Sequence, residues 1–129
     1  MAGRILVIED DPASLELLKY LLERAGHSVR GAPDGATGLR AAFDNAFDLV
    51  LCDLQMPELT GYEVIAQLQS SPDWRAVPVI AVTAYSMPGD RESVMAAGFT
   101  EYMTKPIDPE CFLAHIDRWL ALPRQPGSA

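Results

Sequence analysis

Residues 4–12 read RILVIEDDP, and this stretch decides the architecture. RILVI at 4–8 is a short β-branched run, the pattern of a strand buried on both faces. Acidic residues follow, and Pro12 opens a run with helical spacing to Ala25. Leu15, Leu18, Leu21, Leu22 and Ala25 share one face, while Glu16, Lys19, Tyr20 and Glu23 share the other. Gly26 then stops the helix. The same alternation repeats along the chain. Strands are predicted at Ser28–Ala32, Asp48–Cys52, Val77–Val82 and Thr100–Met103. Helices are predicted at Asp34–Asn45, Tyr62–Ser70, Pro88–Ala97 and Pro109–Leu120. Strand–helix units in succession form an open parallel sheet covered by helices on both faces. The expected fold is therefore α/β, a flavodoxin-like, doubly wound, five-stranded parallel sheet in the order 2-1-3-4-5 with five helices. One domain is expected over residues 1–121, followed by a loose tail, LPRQPGSA, at 122–129.

Composition narrows the function. The 129 residues are 49% hydrophobic, enough for a core, and carry 10 Lys and Arg against 18 Asp and Glu, a net charge of −8. Such a balance argues against duplex nucleic acid or an anionic membrane as partner, because both attract cationic surfaces. Cys52 and Cys111 have neither CxxC nor zinc spacing, so a zinc module or disulfide scaffold is not expected. No signal-peptide core or 18-residue apolar run is present, and a cytoplasmic setting is expected.

In the expected topology, ligands bind beyond the carboxyl ends of the strands, where the order reverses between the first and third. The first strand ends into Glu9, Asp10 and Asp11, the third ends at Asp53 and the fourth at Thr83, and Lys105-Pro106 follows the fifth. Unit charges about 4 Å apart repel by roughly 4 kcal/mol at an effective dielectric near 20, so crowded carboxylates call for a proton or a cation. Hard oxygen ligands, with His27 and His115 elsewhere, favour Mg²⁺ over zinc or copper, with Mn²⁺ able to substitute. Together the residues suit phosphoryl transfer to a carboxylate. Asp53 is the best nucleophile, since it leads into a Pro57- and Gly61-containing loop that can offer amides to an anion. Asp10 and Asp11 are expected to serve the metal with Asp53. Direct contact is assigned to Asp11, and the carbonyl of Gln55 is a further ligand. Thr83 and Lys105 would hold the transferred group. Simpler roles are available as well. Asp11-Pro12 is also a helix N-cap with proline at N1. Glu9 would face solvent or help orient the site, and Cys52 would be a small buried hydrophobe.

At these positions the chain resembles the receiver domain of bacterial two-component response regulators. The matching pieces are ILVIEDD at 5–11, DLVLCDLQMPELTG at 48–61, VIAVTA at 79–84 and YMTKPI at 102–107. Their order, with 30 residues from Asp53 to Thr83 and 22 from Thr83 to Lys105, makes the resemblance specific. It implies that Asp53 accepts a phosphoryl group from a phosphohistidine of a sensor histidine kinase or histidine phosphotransfer protein. It also implies a cis Lys105–Pro106 bond that aims the ammonium inward. Thr83 and Tyr102 would be the switch residues, and the small Ala84 would leave the phosphate accessible. A downstream protein would read the face made by the fourth helix, fifth strand and last helix. The chain would be a phosphoacceptor signalling domain rather than a turnover enzyme, with self-catalysed transfer and slow autodephosphorylation only. It departs from the family at Tyr62, where an acidic residue is frequent. A stand-alone receiver is the leading expectation; the alternative is a receiver cut from a hybrid histidine kinase or larger regulator. A haloacid-dehalogenase-type phosphatase would need DxD after the first strand, where this chain has Asp10-Asp11-Pro12. A flavodoxin-like cofactor binder would need a Ser-, Thr- or Gly-rich loop there.

Overall fold

The structure, a computed structural model, describes residues 3–74, 76–84 and 90–121. Five strands, β1 (Arg4–Ile8), β2 (Ser28–Ala32), β3 (Leu49–Asp53), β4 (Val79–Thr83) and β5 (Glu101–Thr104), pair in parallel in the order β2-β1-β3-β4-β5. The helices are α1 (Pro12–Arg24), α2 (Gly35–Asp44), α3 (Gly61–Gln69), α4 (Asp90–Ala97) and α5 (Pro109–Leu120), with a 3₁₀ turn at Pro72–Trp74. This is the doubly wound, flavodoxin-like sheet expected from the sequence.

Three strands begin and end one or two residues later than predicted. Asp48 stays outside β3 because its Oδ2 accepts from the Arg4 N–H at 2.8 Å. Pro78 has no N–H for the ladder, so β4 starts at Val79. At the other end Asp53 pairs with Val82, and Thr83 with Thr104, so both site residues are the last rungs of the sheet, at the strand ends where the sequence places them. Asp34 and Asn45 cap α2 instead of belonging to it. The predicted helix start at Pro88 and the tail at 122–129 lie outside the described residues.

Alternating side chains send residues of each strand to opposite faces. Ile5, Val7, Leu49, Leu51, Ile80 and Val82 pack with Leu18 and Leu22 of α1 and Phe112, Ile116 and Trp119 of α5. Leu6, Ile8, Val50, Cys52 and Ala81 face the other way, against Leu39 of α2, Val64, Ile65 and Leu68 of α3 and Val94 of α4. Each such large side chain, once buried, contributes about 1.5–3 kcal/mol relative to exposure. No described helix is long and apolar enough to cross a membrane.

His27, between α1 and β2, is buried. Its Nδ1 accepts from the Gly3 N–H at 3.0 Å, which leaves the proton of the neutral ring on Nε2, 4.0 Å from Asp117 Oδ1. Burial pulls the imidazole below its ordinary pKa, and Asp117 opposes it only partly. The unfolded chain therefore takes up this proton first as pH falls below about 6.5, and His27 subtracts stability from there downward. The urea midpoint is expected to drop between about pH 7.5 and pH 5.5, and His27→Gln to flatten that drop. Equal slopes in the two proteins would remove His27 as the cause.

Candidate functional site

The carboxyl ends of β1 and β3 lie side by side, and the chain leaves them in different directions. Extended backbone continues past β1, since Glu9 N–H donates to Ala32 O at 3.0 Å. Helix α1 begins at Pro12, which makes Asp11 its N-cap. The Asp11 Oδ2 accepts from Ser14 N–H at 3.1 Å and Ser14 Oγ at 2.8 Å. These bonds hold the Asp11 carboxyl below the usual range.

Two sequence expectations are corrected here. The group of carboxylates that converges is Glu9, Asp10 and Asp53, with an oxygen from each within 4.8 Å of the others. Asp11, assigned direct metal contact from sequence, is outside that group and committed to the helix start. Glu9 does not face solvent; it is 1% exposed. Its Oε2 accepts from the Asp11 N–H at 3.1 Å. Its Oε1 lies 2.7 Å from the Lys105 ammonium, an ion pair without hydrogen-bond alignment at that oxygen. Burial, and then the neighbouring Asp53, push the Glu9 carboxyl up against the pull of Lys105.

Asp53 is 5% exposed. One oxygen, Oδ1, accepts from the Gln55 N–H at 3.0 Å; the other, Oδ2, is 3.4 Å from Lys105 Nζ. The contact seen for Gln55 is thus its amide, turned toward Asp53 by the loop after β3. That loop folds back through Gly61 N–H donating to Leu54 O at 3.1 Å. Thr60 caps α3 in a reciprocal box with Glu63. The absent side chain of Gly61 makes the approach possible, since a Cβ there would sit 2.5 Å from Asp53 O.

Lys105 follows β5 across a cis bond to Pro106. Burial pulls its ammonium down, but Glu9 and Asp53 outweigh that and hold it above its ordinary value. Thr83, 2% exposed, ends β4, and its carbonyl accepts from Lys105 N–H at 2.8 Å. Ala84 follows it, exposed. Half-buried Tyr102, on β5, packs against the α2–α4 side of the core. Cys52, beside Asp53, is fully buried, and burial pushes its thiol far up, so it acts as packing.

Three carboxylates and one ammonium leave two formal negative charges, the complement of one divalent cation. The donors are all hard oxygens, so the residues present fit Mg²⁺.

The sequence model of the response regulator receiver domain matches residues 5–117. The chain is 34% identical over 120 residues to the polar-differentiation response regulator DivK of Brucella anthropi, covering 93% of this chain and 98% of that protein. Among solved structures it resembles the receiver domain of a signal transduction histidine kinase from Syntrophus aciditrophicus, with 34% identity and a TM-score of 0.84 over 92% and 90% of the two chains. It also resembles the receiver domain of the sensor histidine kinase PA1611 from Pseudomonas aeruginosa PAO1, with 30% identity and a TM-score of 0.86 over 95% and 100% of the chains; that structure has a magnesium ion coordinated in the active site cleft. The chain belongs to the response regulator receiver domain family, the receiving module of two-component signalling.

Proposed function

We propose that this receiver is a phosphorylation-driven interaction switch of the cytoplasm, with Asp53 as acceptor. The observation that carries the reading is the setting of the Asp53 carboxylate. It is nearly closed off, fixed by Gln55 N–H on one oxygen and faced by Lys105 on the other, and it lies beside Glu9 and Asp10. In the transfer, an Asp53 oxygen forms a bond to the phosphorus of a phosphohistidine on a sensor kinase or phosphotransfer protein. The P–N bond breaks, and the imidazole leaves with the electron pair and takes up a proton. Lys105 and the Thr83 hydroxyl bind the oxygens of the transferred group. Asp10, Asp53 and the Gln55 carbonyl would hold Mg²⁺, or Mn²⁺ in its place, with Glu9 behind them; when bound, the ion neutralises charge on the phosphoryl oxygens. Asp11 serves by fixing the start of α1.

Phosphorylation replaces a single negative charge with about −2 and adds acceptor oxygens. Thr83 and Lys105 terminate β4 and lead out of β5, so the added charge acts on both strands. Tyr102 reorients, and the surface of α4, β5 and α5 changes for a downstream protein. Nothing in this chemistry calls for turnover of a substrate.

Acetyl phosphate with Mg²⁺ is expected to add one phosphoryl group to the wild type, read by intact mass, and none to Asp53→Asn. An unmodified wild type, or equal modification of the Asn variant, would overturn the assignment.

A further inference from the structure

Phosphate at Asp53 can alter the α4–β5 surface only against whatever holds that surface in its resting arrangement. Strand β5 is an edge strand, paired to β4 alone. On its outer side Arg91, in the first turn of α4, grips Glu101, the first residue of β5. The guanidinium bonds both carboxylate oxygens, Nη1 to Oε1 at 2.8 Å and Nη2 to Oε2 at 3.3 Å. The same guanidinium lies over the Tyr102 ring, 5.9 Å from its centroid. Glu101 Oε1 also accepts from the Tyr102 N–H at 3.2 Å. Arg91 therefore touches the helix, the strand and the aromatic ring at once. A cavity of about 460 Å³ opens beside this group, bordered by Arg91, Tyr102, Met103 and His115. The cavity lies between the edge of β5 and α5, so the Tyr102 ring borders open space on that side.

We propose that Arg91 is a positioning residue that biases the receiver toward its resting arrangement by clamping Tyr102 and the start of β5 to α4. The inference rests on the phosphorylation reading above and deepens it. A two-point guanidinium–carboxylate contact with a ring beneath it has one defined geometry, unlike a lone surface ion pair. If the clamp favours the resting state, its loss favours the other. By reciprocity of coupling, a ligand that binds at Asp53 and prefers the other state must then bind more tightly.

The probe is beryllofluoride with Mg²⁺, which mimics a phosphoryl group on an aspartate. Its affinity is measured by titration for wild type, Arg91→Ala, Arg91→Lys and Glu101→Gln, with Asp53→Asn as the blank. Arg91→Ala and Glu101→Gln are expected to bind it about fivefold or more tightly than wild type. Arg91→Lys keeps the charge but loses the fork and is expected to fall between. In unliganded Arg91→Ala, the Tyr102 ring resonances are expected to move toward their positions in the beryllofluoride-bound wild type. A residue of purely structural value would weaken binding when removed, so tighter binding separates the two roles. Unchanged or weaker binding by Arg91→Ala, with the wild type binding normally, would overturn the clamp. A wild type that does not bind at all would overturn the phosphorylation reading, and the clamp with it.

Discussion

Gly61→Ala is expected to slow acetyl phosphate-dependent modification of Asp53 by at least about tenfold and to lower Tm by roughly 5–15 °C. The added methyl would stand 2.5 Å from Asp53 O and 2.8 Å from Leu54 Cα. Both neighbours are backbone, so no side-chain rotation relieves the overlap. The first turn of α3 must back away from the end of β3, and the Gly61–Leu54 hydrogen bond opens with it. Asp53 is the last rung of β3, and the Gln55 amide that fixes its Oδ1 lies in the displaced loop, so damage to packing becomes damage to the acceptor. Gly38→Ala provides the contrast. A methyl there meets the buried side chain of Ile8, at 2.5 Å from Cδ1, in the core between α2 and the sheet, and touches a side chain instead of the backbone of β3. Its cost is expected to appear in Tm, with the modification rate of the folded protein near that of wild type. If Gly61→Ala matched wild type in both rate and Tm, the close approach would not govern the site.

Lys105→Met is expected to reduce the modification rate about 100-fold, the usual scale for deleting a group that faces charge in a transition state. The same change is expected to tighten Mg²⁺ binding. The ammonium, 2.7 Å from Glu9 Oε1 and 3.4 Å from Asp53 Oδ2, occupies the carboxylates a divalent cation would use and repels it. Its loss leaves Glu9, Asp10 and Asp53 without a cation. Added Mg²⁺ should therefore raise the Tm of Lys105→Met by more than it raises that of wild type. Calorimetric titration and thermal melts with and without the ion check both signs. Weaker Mg²⁺ binding by the Met variant would mean that the lysine assists the metal instead of competing with it.

The sheet could be read from the sequence because each strand is a short apolar run and each helix has a polar face, and the strand order followed from packing such units. Strand limits were harder, since they depend on partners. Pairing with Val82 and Thr104 is what makes Asp53 and Thr83 the last rungs of their strands. The convergence of Asp53, Lys105 and Thr83 was legible because each stands at or just past a strand terminus that the topology brings together. The sequence reading paired Asp10 and Asp11 with Asp53, whereas the carboxylates that converge on Asp53 are those of Glu9 and Asp10. Three acids in a row, Glu9, Asp10 and Asp11, leave the choice open, and the signal that settles it is Pro12. Proline at N1 commits the preceding residue to capping, so the carboxylates left for the site are the two before it. Of the two roles open to Glu9 in the sequence, facing solvent or orienting the site, its burial removes the first. Its cation arrives from the far end of the chain, and sequence proximity gives no sign of that. The Arg91 clamp was invisible because Arg91 meets the adjacent Glu101 and Tyr102 only when α4 lies along β5.

The sheet divides the interior into two cores, with α1 and α5 on one side and α2, α3 and α4 on the other. Substitutions confined to opposite sides should combine additively in free energy. The outer surface of one side can therefore be redrawn without disturbing the packing of the other, while the strand termini between them stay under a single, shared constraint.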